Sequence, residues 1–217
     1  MTRMLLPTPL TALRAVYRTG MRVLDELTTG SASRRANTTL VLGGARSGKS
    51  QYAEHLLADE TDVVYIATGS PPTESDPEWA ERVRAHRQRR SRHWRTVETL
   101  DIASVLRSAD TPVLVDCLAT WFARICDETG AWHDADGWRD RTEATIADLL
   151  DALRTTSAPV VLVSNEVGSG IVPSNPAGRL FRDELGLLNR RVADATDAVV
   201  LVVAGRALEL SAPITPS

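Results

Sequence analysis

A glycine-rich segment, GGARSGKS at positions 43–50, constrains the fold of this 217-residue chain more than any other feature. It fulfils the pattern G-x-x-x-x-G-K-[ST], follows the apolar run TLVL and precedes the helix-like run SQYAEHLLA. A strand, this loop and then a helix form the setting in which the pattern binds the phosphates of a nucleoside triphosphate. The alternative is a strand-to-helix turn that binds no ligand.

Each residue type in the loop has a chemical reason to be there. Glycines let the backbone curl so that its N–H groups point at phosphate oxygens, and the start of the helix adds a positive dipole. Lys49 can reach the β and γ phosphates, and the hydroxyl of Ser50 can bind Mg²⁺. The predicted nucleotide-binding residues of the loop are Gly43, Gly44, Ala45, Arg46, Ser47, Gly48, Lys49 and Ser50.

The use of lysine supports this prediction. Of the 25 basic residues, 24 are arginines and one is a lysine, and that lysine is Lys49. The chain therefore uses arginine almost everywhere that a positive charge is needed. A compact ammonium fits between phosphates as a point charge, whereas a planar guanidinium does not.

Valine-rich runs alternate with helix-like stretches downstream of residue 38. The runs cover 39–42, 63–67, 112–116, 159–164 and 198–204, and they lack polar alternation, which is typical of strands buried on both faces of a parallel sheet. The helix-like stretches cover 49–59, 77–92, 98–108, 117–127, 138–154 and 178–195. This alternation predicts an α/β fold of the P-loop NTPase type, with a mostly parallel sheet and helices on both faces.

The first 38 residues differ from the rest of the chain. Apolar residues recur there at spacings of three and four between positions 10 and 27, which predicts a short amphipathic helix, and a polar linker follows. We interpret residues 1–38 as an extension, 39–210 as the P-loop domain and 211–217 as a tail. The extension either packs on the domain or is mobile, and a membrane-surface or partner helix is the alternative.

An acidic residue ends one of the predicted strands. Asp116 closes the run PVLVD, and ligands of such sheets bind at the carboxyl ends of the strands. A carboxylate at this position can hold Mg²⁺ together with Ser50, so both residues are candidate metal ligands. The structural alternative is that Asp116 caps the helix that follows.

The segment RVRAHRQRRSRHWR at positions 82–95 contains seven arginines, two histidines and no acid. One interpretation is a solvated helix face or a general polyanion patch. The other is a nucleotide site, because cations around His86 favour its neutral, nucleophilic form and would hold a triphosphate against it. His86 is therefore a candidate for covalent chemistry, whereas His55, His93 and His133 have no comparable setting.

Composition limits the other classes of function. A formal net charge of −3 gives no overall electrostatic reason to bind nucleic acid or an anionic membrane. No run approaches the roughly 18 apolar residues of a membrane-spanning helix. The two cysteines, Cys117 and Cys126, form neither a disulfide framework nor a metal cluster, and they fit buried thiols in a reducing cytoplasm.

Several segments together resemble a known family. The segments GGARSGKS, YIATG, RVRAHRQRR, HWRTVE, VLVDC and NEVGSGIVP are similar to those of the bifunctional adenosylcobinamide kinase / adenosylcobinamide-phosphate guanylyltransferase family. The resemblance covers about residues 39–208, and the combination is far more specific than a P-loop alone. The extension at 1–38 departs from the usual pattern, as does Trp79, where the family often has methionine.

The resemblance implies two reactions in the assembly of cobalamin. The family phosphorylates the aminopropanol hydroxyl of adenosylcobinamide with ATP or GTP. It then transfers GMP from GTP to that phosphate through a GMP–histidine intermediate and releases pyrophosphate. The implied substrates are thus GTP, ATP, adenosylcobinamide and its phosphate, with Mg²⁺ as the cofactor, and the implied assembly is a homotrimer.

The resemblance also assigns residues to these steps. His86 would be the catalytic residue that carries GMP. The residues that would contact the nucleotide, in addition to the loop at 43–50, are Thr68, Gly69, Ser70, Arg87, Gln88, Arg89, Arg90, Glu98 and Asp116. An enzyme with these two transfers needs a γ-phosphoryl site and a nucleophile for the α-phosphorus, and the loop and His86 would supply them.

Two points stay open on the sequence. The loop 164–179, which contains Asn165 and Glu166 after a predicted strand, is interpreted equally well as turn structure or as part of substrate binding or a subunit contact. The other functions to consider are a guanylyltransferase or small-metabolite kinase with one activity, and a nucleotide-binding regulatory module without turnover.

Overall fold

The computed structural model describes residues 37–71, 73 and 76–210. The predicted N-terminal helix and the tail at 211–217 lie outside these residues. The described part contains a sheet of seven strands in the order β3-β2-β4-β5-β1-β6-β7. The strands are β1 (Thr38–Gly43), β2 (Val64–Ala67), β3 (Arg95–Glu98), β4 (Val113–Asp116), β5 (Val160–Asn165), β6 (Ala198–Val203) and β7 (Arg206–Leu210).

All neighbouring strands run parallel except the last pair, in which β7 runs antiparallel to β6. The predicted mostly parallel sheet is therefore confirmed. In a parallel sheet the carboxyl ends of the strands lie along one edge. That edge brings together the ends of β1, β2, β4 and β5, which extend in the sequence from Gly43 to Asn165.

The central strands are buried on both faces, as their uninterrupted apolar sequences require. Adjacent residues of β1 illustrate this, because Leu40 and Val41 point to opposite faces and both are fully buried. Leu40 belongs to the larger of two hydrophobic clusters and Val41 to the smaller one. The sheet thus separates two cores.

Helices cover both faces, but unequally. They are α1 (Lys49–Leu56), α2 (Pro77–Arg89), α3 (Ile102–Ser108), α4 (Leu118–Thr129), α5 (Trp138–Thr155) and α6 (Pro176–Asp194), with a 3-10 turn at Ala131–His133. The larger cluster takes residues from α3, α4, α5 and α6. In the smaller cluster, α1 contributes Ala53, and Leu57 follows directly after the helix. Helix α2 contributes no buried residue among its described side chains.

Two strands were not predicted from the sequence. In β3 only Val97 is partly buried, and all five residues of β7 are exposed, so neither strand has the apolar run of an inner strand. Both lie at edges of the sheet, where backbone pairing rather than side-chain burial defines the strand. The helix-like stretch assigned to 98–108 is consequently wrong at its start, because Glu98 ends β3 and the helix begins at Ile102.

The turn between β6 and β7 supports the P-loop from behind. Ala204 and Gly205 both have positive φ, and the backbone N–H of Gly205 donates a hydrogen bond of 2.8 Å to the carbonyl oxygen of Ser47. Gly48, with φ of 95°, lies directly against Gly205. The antiparallel edge hairpin therefore holds the loop in shape. Among the described residues, no helix is both long and apolar enough to cross a membrane.

Gly43 is the position at which the P-loop leaves least room for a side chain. A Cβ added there would lie 2.5 Å from Oγ of Ser47 and 2.6 Å from the backbone oxygen of Val202. We expect Gly43→Ala to lower the free energy of unfolding by about 1–3 kcal/mol, because the backbone of β6 cannot move aside cheaply. Denaturant unfolding measures this change.

Gly44→Ala is the matched control for stability, because nothing lies within 4 Å of a Cβ added at Gly44. Equal stability of the Gly43→Ala and Gly44→Ala proteins would contradict the packing described around Gly43.

Candidate functional site

A cavity of about 510 Å³ opens at the carboxyl ends of β2 and β4, between the P-loop and helix α2. It is lined by residues of the P-loop, of the strand ends and of one side of α2. The lining residues are Arg46, Ser47, Gly48, Lys49, Ser50, Gln51, Tyr65, Ala67, Gly69, Ser70, Pro71, Trp79, Glu81, Val83, Ala85, His86, Arg87, Arg90, Thr96, Glu98, Asp116, Cys117, Thr120 and Asn165.

The P-loop turns its polar groups toward this cavity. Nζ of Lys49 donates to the carbonyl oxygen of Gly44 at 3.3 Å, and the backbone N–H of Lys49 contacts Oγ of Ser47. Helix α1 starts after Gly48 without a side-chain cap. The helix dipole favours negative charge at this end of α1, which suits the binding of an anion.

Asp116 joins three elements of the site. Its Oδ1 accepts a hydrogen bond of 3.4 Å from Oγ of Ser50, and its Oδ2 accepts one of 2.7 Å from the hydroxyl of Tyr65. Nδ1 of His86 lies 3.2 Å from the same Oδ2. The carboxylate therefore connects the P-loop helix, strand β2 and helix α2.

This environment keeps the carboxylate ionised. Burial by itself raises the pKa of Asp116, but the hydrogen bond and charge of His86, the hydrogen bond of Tyr65 and the charge of Lys49 outweigh it, so that the pKa is lowered. The pKa of Tyr65 is raised, first by burial and then by the negative charge of Asp116. Tyr65 therefore stays protonated and can donate to Asp116.

Helix α2 presents His86 to the cavity. The helix begins after Asp76, whose side chain caps it by accepting from the N–H of Trp79, and Pro77 occupies its first position. The side chain of His86 is 31% exposed, which leaves it accessible to a ligand. Because Nδ1 faces Asp116, Nε2 is the nitrogen that can act as a nucleophile.

Arginines of α2 and its end flank the histidine. The guanidinium of Arg90 lies 3.5 Å above the ring of Tyr65 and donates to the carbonyl oxygen of His86 and to Oγ1 of Thr96. Arg87 donates to Oε1 of Glu98 at 2.8 Å in an exposed ion pair. Both arginines line the cavity.

The structure brings most of the predicted site residues together, but not all of them. Among the predicted residues, those that line the cavity are Arg46, Ser47, Gly48, Lys49, Ser50, Gly69, Ser70, His86, Arg87, Arg90, Glu98 and Asp116. Those outside the cavity lining are Gly43, Gly44, Ala45, Thr68 and Gln88. The side chain of Arg89 lies outside what the structure describes.

Thr68 lies beneath the cavity instead of in its wall. It is fully buried, and its hydroxyl donates to the carbonyl oxygen of Cys117, contacts Oγ1 of Thr120 and accepts from the N–H of Cys117. These contacts fix the turn from β4 into α4. Any effect of Thr68 on a ligand would therefore act through the backbone that follows Asp116.

Tyr65, Thr96 and Thr120 also line the cavity, although no role was predicted for them from the sequence. The sequence does contain an indication for Tyr65. It is the one residue with a hydroxyl in the run VVYIA, and a buried tyrosine hydroxyl needs a hydrogen-bond partner. The sequence contains no such indication for Thr96 or Thr120, since their positions in the site depend on the pairing of β3 and on the start of α4.

The loop after β5 contributes through its first residue. Asn165 lines the cavity, and its carbonyl oxygen accepts from Asn189 of α6, which also accepts from Ser164. Glu166 instead turns back, accepting a hydrogen bond of 2.6 Å from the N–H of Gly168. The structure thus supports turn formation by Glu166 and a site position for Asn165.

The site contains oxygen ligands suited to Mg²⁺. Oγ of Ser50 and Oδ1 of Asp116 lie within hydrogen-bond distance of each other, and hydroxyl and carboxylate oxygens are ligands that Mg²⁺ accepts, together with phosphates and water. Within the described residues, no group of three or more His, Cys, Asp or Glu side chains could hold a metal by itself. Burial raises the pKa of both Cys117 and Cys126, that of Cys126 to about 12, so both thiols are protonated at neutral pH.

Known proteins are similar to this chain over most of its length. The family described as cobinamide kinase / cobinamide phosphate guanyltransferase matches residues 39–210. The bifunctional adenosylcobalamin biosynthesis protein CobU of Escherichia coli (strain K12) is 42% identical over 175 residues, covering 76% of this chain and 95% of that protein. The corresponding CobP protein of Pseudomonas aeruginosa is 40% identical over 178 residues, covering 79% and 95%.

Among solved structures, the P4 protein from bacteriophage phi6 in complex with ADP covers 79% of this chain and 52% of its own chain. Its sequence identity is 15% and its TM-score 0.36, a likeness too low to support an argument.

The lowered pKa of Asp116 predicts a pH-dependent effect of its substitution. A carboxylate with a lowered pKa stabilises the folded state above its ordinary pKa of 3.8, and this stabilisation is lost as the pH falls through the lowered value. We expect Asp116→Asn to reduce the free energy of unfolding at pH 5, and the difference from the unmodified chain to shrink toward zero as the pH falls below 3.8. Denaturant unfolding at a series of pH values, without nucleotide or metal, measures it. A difference that does not change between pH 5 and pH 3 would show that the ionised carboxylate contributes nothing.

Proposed function

The chain belongs to the cobinamide kinase / cobinamide phosphate guanyltransferase family, and on that premise we propose that it carries out both reactions in one cavity. The first reaction transfers the γ-phosphoryl group of ATP or GTP to the hydroxyl of adenosylcobinamide. The second transfers GMP from GTP to the phosphate that results, giving adenosylcobinamide-GDP and pyrophosphate. The enzyme is a transferase in both.

One observation carries the proposal for this chain. Asp116 contacts Ser50 of the P-loop through one oxygen and His86 of α2 through the other. A phosphate-binding loop and a nucleophilic imidazole therefore face the same cavity from two sides. A kinase without guanylyltransferase activity needs only the P-loop. The position of His86 beside Asp116 therefore favours an enzyme that carries out both reactions.

In the kinase step, the P-loop binds the triphosphate and the substrate hydroxyl attacks the γ-phosphorus. The bond from that phosphorus to the bridging oxygen breaks, ADP or GDP leaves, and the hydroxyl proton is released to the medium. Lys49 stabilises the charge on the transferred group, and the N–H groups at the start of α1 bind the remaining phosphates. Ser50 and Asp116 would hold Mg²⁺, which neutralises phosphate charge when bound.

In the guanylyl transfer, Nε2 of His86 attacks the α-phosphorus of GTP. The bond to the bridging oxygen breaks and pyrophosphate leaves. Asp116 holds Nδ1 and its proton, so the imidazole keeps one orientation and the positive charge that develops on it is stabilised. The phosphate of the acceptor then attacks the same phosphorus, the P–N bond breaks, and His86 returns to its neutral form.

The arginines of α2 have a role in this second step. Negative charge increases on the oxygens around the α-phosphorus during the transfer, and fixed positive groups stabilise it. Arg87 and Arg90 line the cavity beside His86. We also propose, from the resemblance, that Gly69, Ser70 and Glu98 belong to the nucleotide site, that Thr68 acts on it only through the backbone beneath the cavity, and that the enzyme is a cytoplasmic homotrimer.

The covalent intermediate gives the first test. We expect the protein incubated with α-³²P-GTP and Mg²⁺ to retain label after denaturation, and the label to be labile in acid and stable in alkali, as a P–N bond is. His86→Ala should abolish the label because the attacking nitrogen is removed. Scintillation counting of the washed protein measures it.

His93→Ala is the matched control, since His93 is an exposed histidine in the same arginine-rich segment and does not line the cavity. Label of equal amount in the unmodified and His86→Ala proteins, or no label in either, would rule out guanylyl transfer through His86.

The P-loop lysine gives the second test. We expect Lys49→Ala to slow phosphorylation of adenosylcobinamide by about 100-fold or more, because the charge that stabilises the transferred phosphoryl group is lost. Lys49→Arg should restore little of the rate, since a planar guanidinium does not fit as a point charge between phosphates. A rate for Lys49→Ala within a few-fold of the unmodified enzyme would contradict the assignment of the P-loop.

A further inference from the structure

Trp79 is held rigidly at the edge of the cavity. Its indole Nε1 donates a hydrogen bond of 2.8 Å to the carbonyl oxygen of Ser70. A Cβ added at Gly69 would lie 2.5 Å from Cζ2 of the indole, so the edge of the ring occupies the space that a side chain at Gly69 would fill. Position and orientation of the indole are therefore fixed before any ligand binds.

These contacts leave only the apolar aromatic surface of the indole available to a ligand. Its N–H is already bonded and its Cζ2 edge is already packed, yet Trp79 lines the cavity. What remains for a ligand is apolar aromatic surface, which suits another flat ring.

The helix places this surface at a defined distance from the nucleophile. Trp79, Val83, His86 and Arg90 follow one stripe of α2, at intervals of three and four residues, and all of them line the cavity. Seven residues separate Trp79 from His86, which corresponds to about 10 Å along the helix axis.

Charge is distributed unevenly along that stripe. Arg87 and Arg90 lie at the His86 end. Around Trp79 the lining includes Pro71 and Val83. Of the acids that line the cavity, Glu81 is the nearest to Trp79 in sequence, and it pairs with Arg84 at 3.2 Å. A nucleotide has the same division, because its phosphates are anionic and its base is flat and aromatic.

We propose that Trp79 is the surface on which the base of the bound nucleotide stacks, an inference that rests on the proposed function. His86 must reach the α-phosphorus, and that atom is joined to the β-phosphate on one side and to the ribose on the other. With the β and γ phosphates at Lys49, the nucleoside extends from His86 away from the P-loop. The indole two turns along α2 is in position to receive its base.

Stacking does not depend on which base is present, because every base has a π-face. Trp79 would therefore stabilise ATP and GTP alike, and it would contribute nothing to a ligand that has phosphates but no base. This difference separates a base-binding surface from a residue that only holds α2 in place.

The experiment compares nucleotides with inorganic tripolyphosphate. We expect Trp79→Leu to weaken the binding of GTP and of ATP by roughly 5- to 150-fold, since stacking of one base contributes that much. Tripolyphosphate should bind the variant as it binds the unmodified protein, and Trp79→Phe should retain most of the affinity for GTP. Isothermal titration calorimetry without Mg²⁺, so that GMP is not transferred to His86, measures all three ligands.

Trp94→Leu is the matched control, because Trp94 also donates its indole N–H to a backbone oxygen, that of Glu60, but does not line the cavity. Equal losses for GTP and tripolyphosphate in Trp79→Leu would overturn the proposal and make Trp79 a purely structural anchor. Unchanged GTP affinity with weaker binding of adenosylcobinamide would overturn it as well and assign the indole to the acceptor. These measurements need no turnover, so they remain interpretable if labelling of His86 fails.

Discussion

The site depends on one buried carboxylate with donors on both of its oxygens. Asp116 accepts from Ser50 through Oδ1 and from Tyr65 through Oδ2, where Nδ1 of His86 also lies. A buried charge is costly unless it is paired and hydrogen-bonded, so the three partners are required together. Because they belong to α1, β2 and α2, satisfying this one group aligns the phosphate-binding loop with the imidazole.

Helix α2 shows why that alignment matters. Its described side chains include none that is buried, so the hydrophobic core does not determine its position. Polar and aromatic contacts hold it instead, with Trp79 against Ser70 and Gly69 at one end and Arg90 on Tyr65 and Thr96 at the other. The residues that position the helix are thus the same ones that line the cavity.

The P-loop is supported differently, by backbone atoms. Gly43 fits tightly against Ser47 and Val202, and the hairpin turn at Gly205 donates to Ser47 from the antiparallel edge of the sheet. Such contacts leave the side chains of Lys49 and Ser50 directed to the cavity. A rigid loop on one side and a helix held by polar contacts on the other suit an enzyme that acts on the γ-phosphorus of a triphosphate in one reaction and on the α-phosphorus in the other.

The P-loop, the inner strands and the candidate nucleophile could be predicted from the sequence alone, because each has a strong local signature. Buried parallel strands require unbroken apolar runs, a phosphate loop requires glycines and lysine at fixed spacing, and a histidine among arginines is conspicuous. The edge strands β3 and β7 have no such signature, since pairing on one side does not demand burial. Three relations are visible only in the tertiary structure. Tyr65 and His86 both contact one oxygen of Asp116, Thr68 lies beneath the site, and Trp79 borders it. The contacts of Asp116 join residues 30 to 51 positions apart, and the place of Trp79 depends on how α2, a helix without a buried face, is held. No local pattern in a sequence encodes a contact made across a sheet edge.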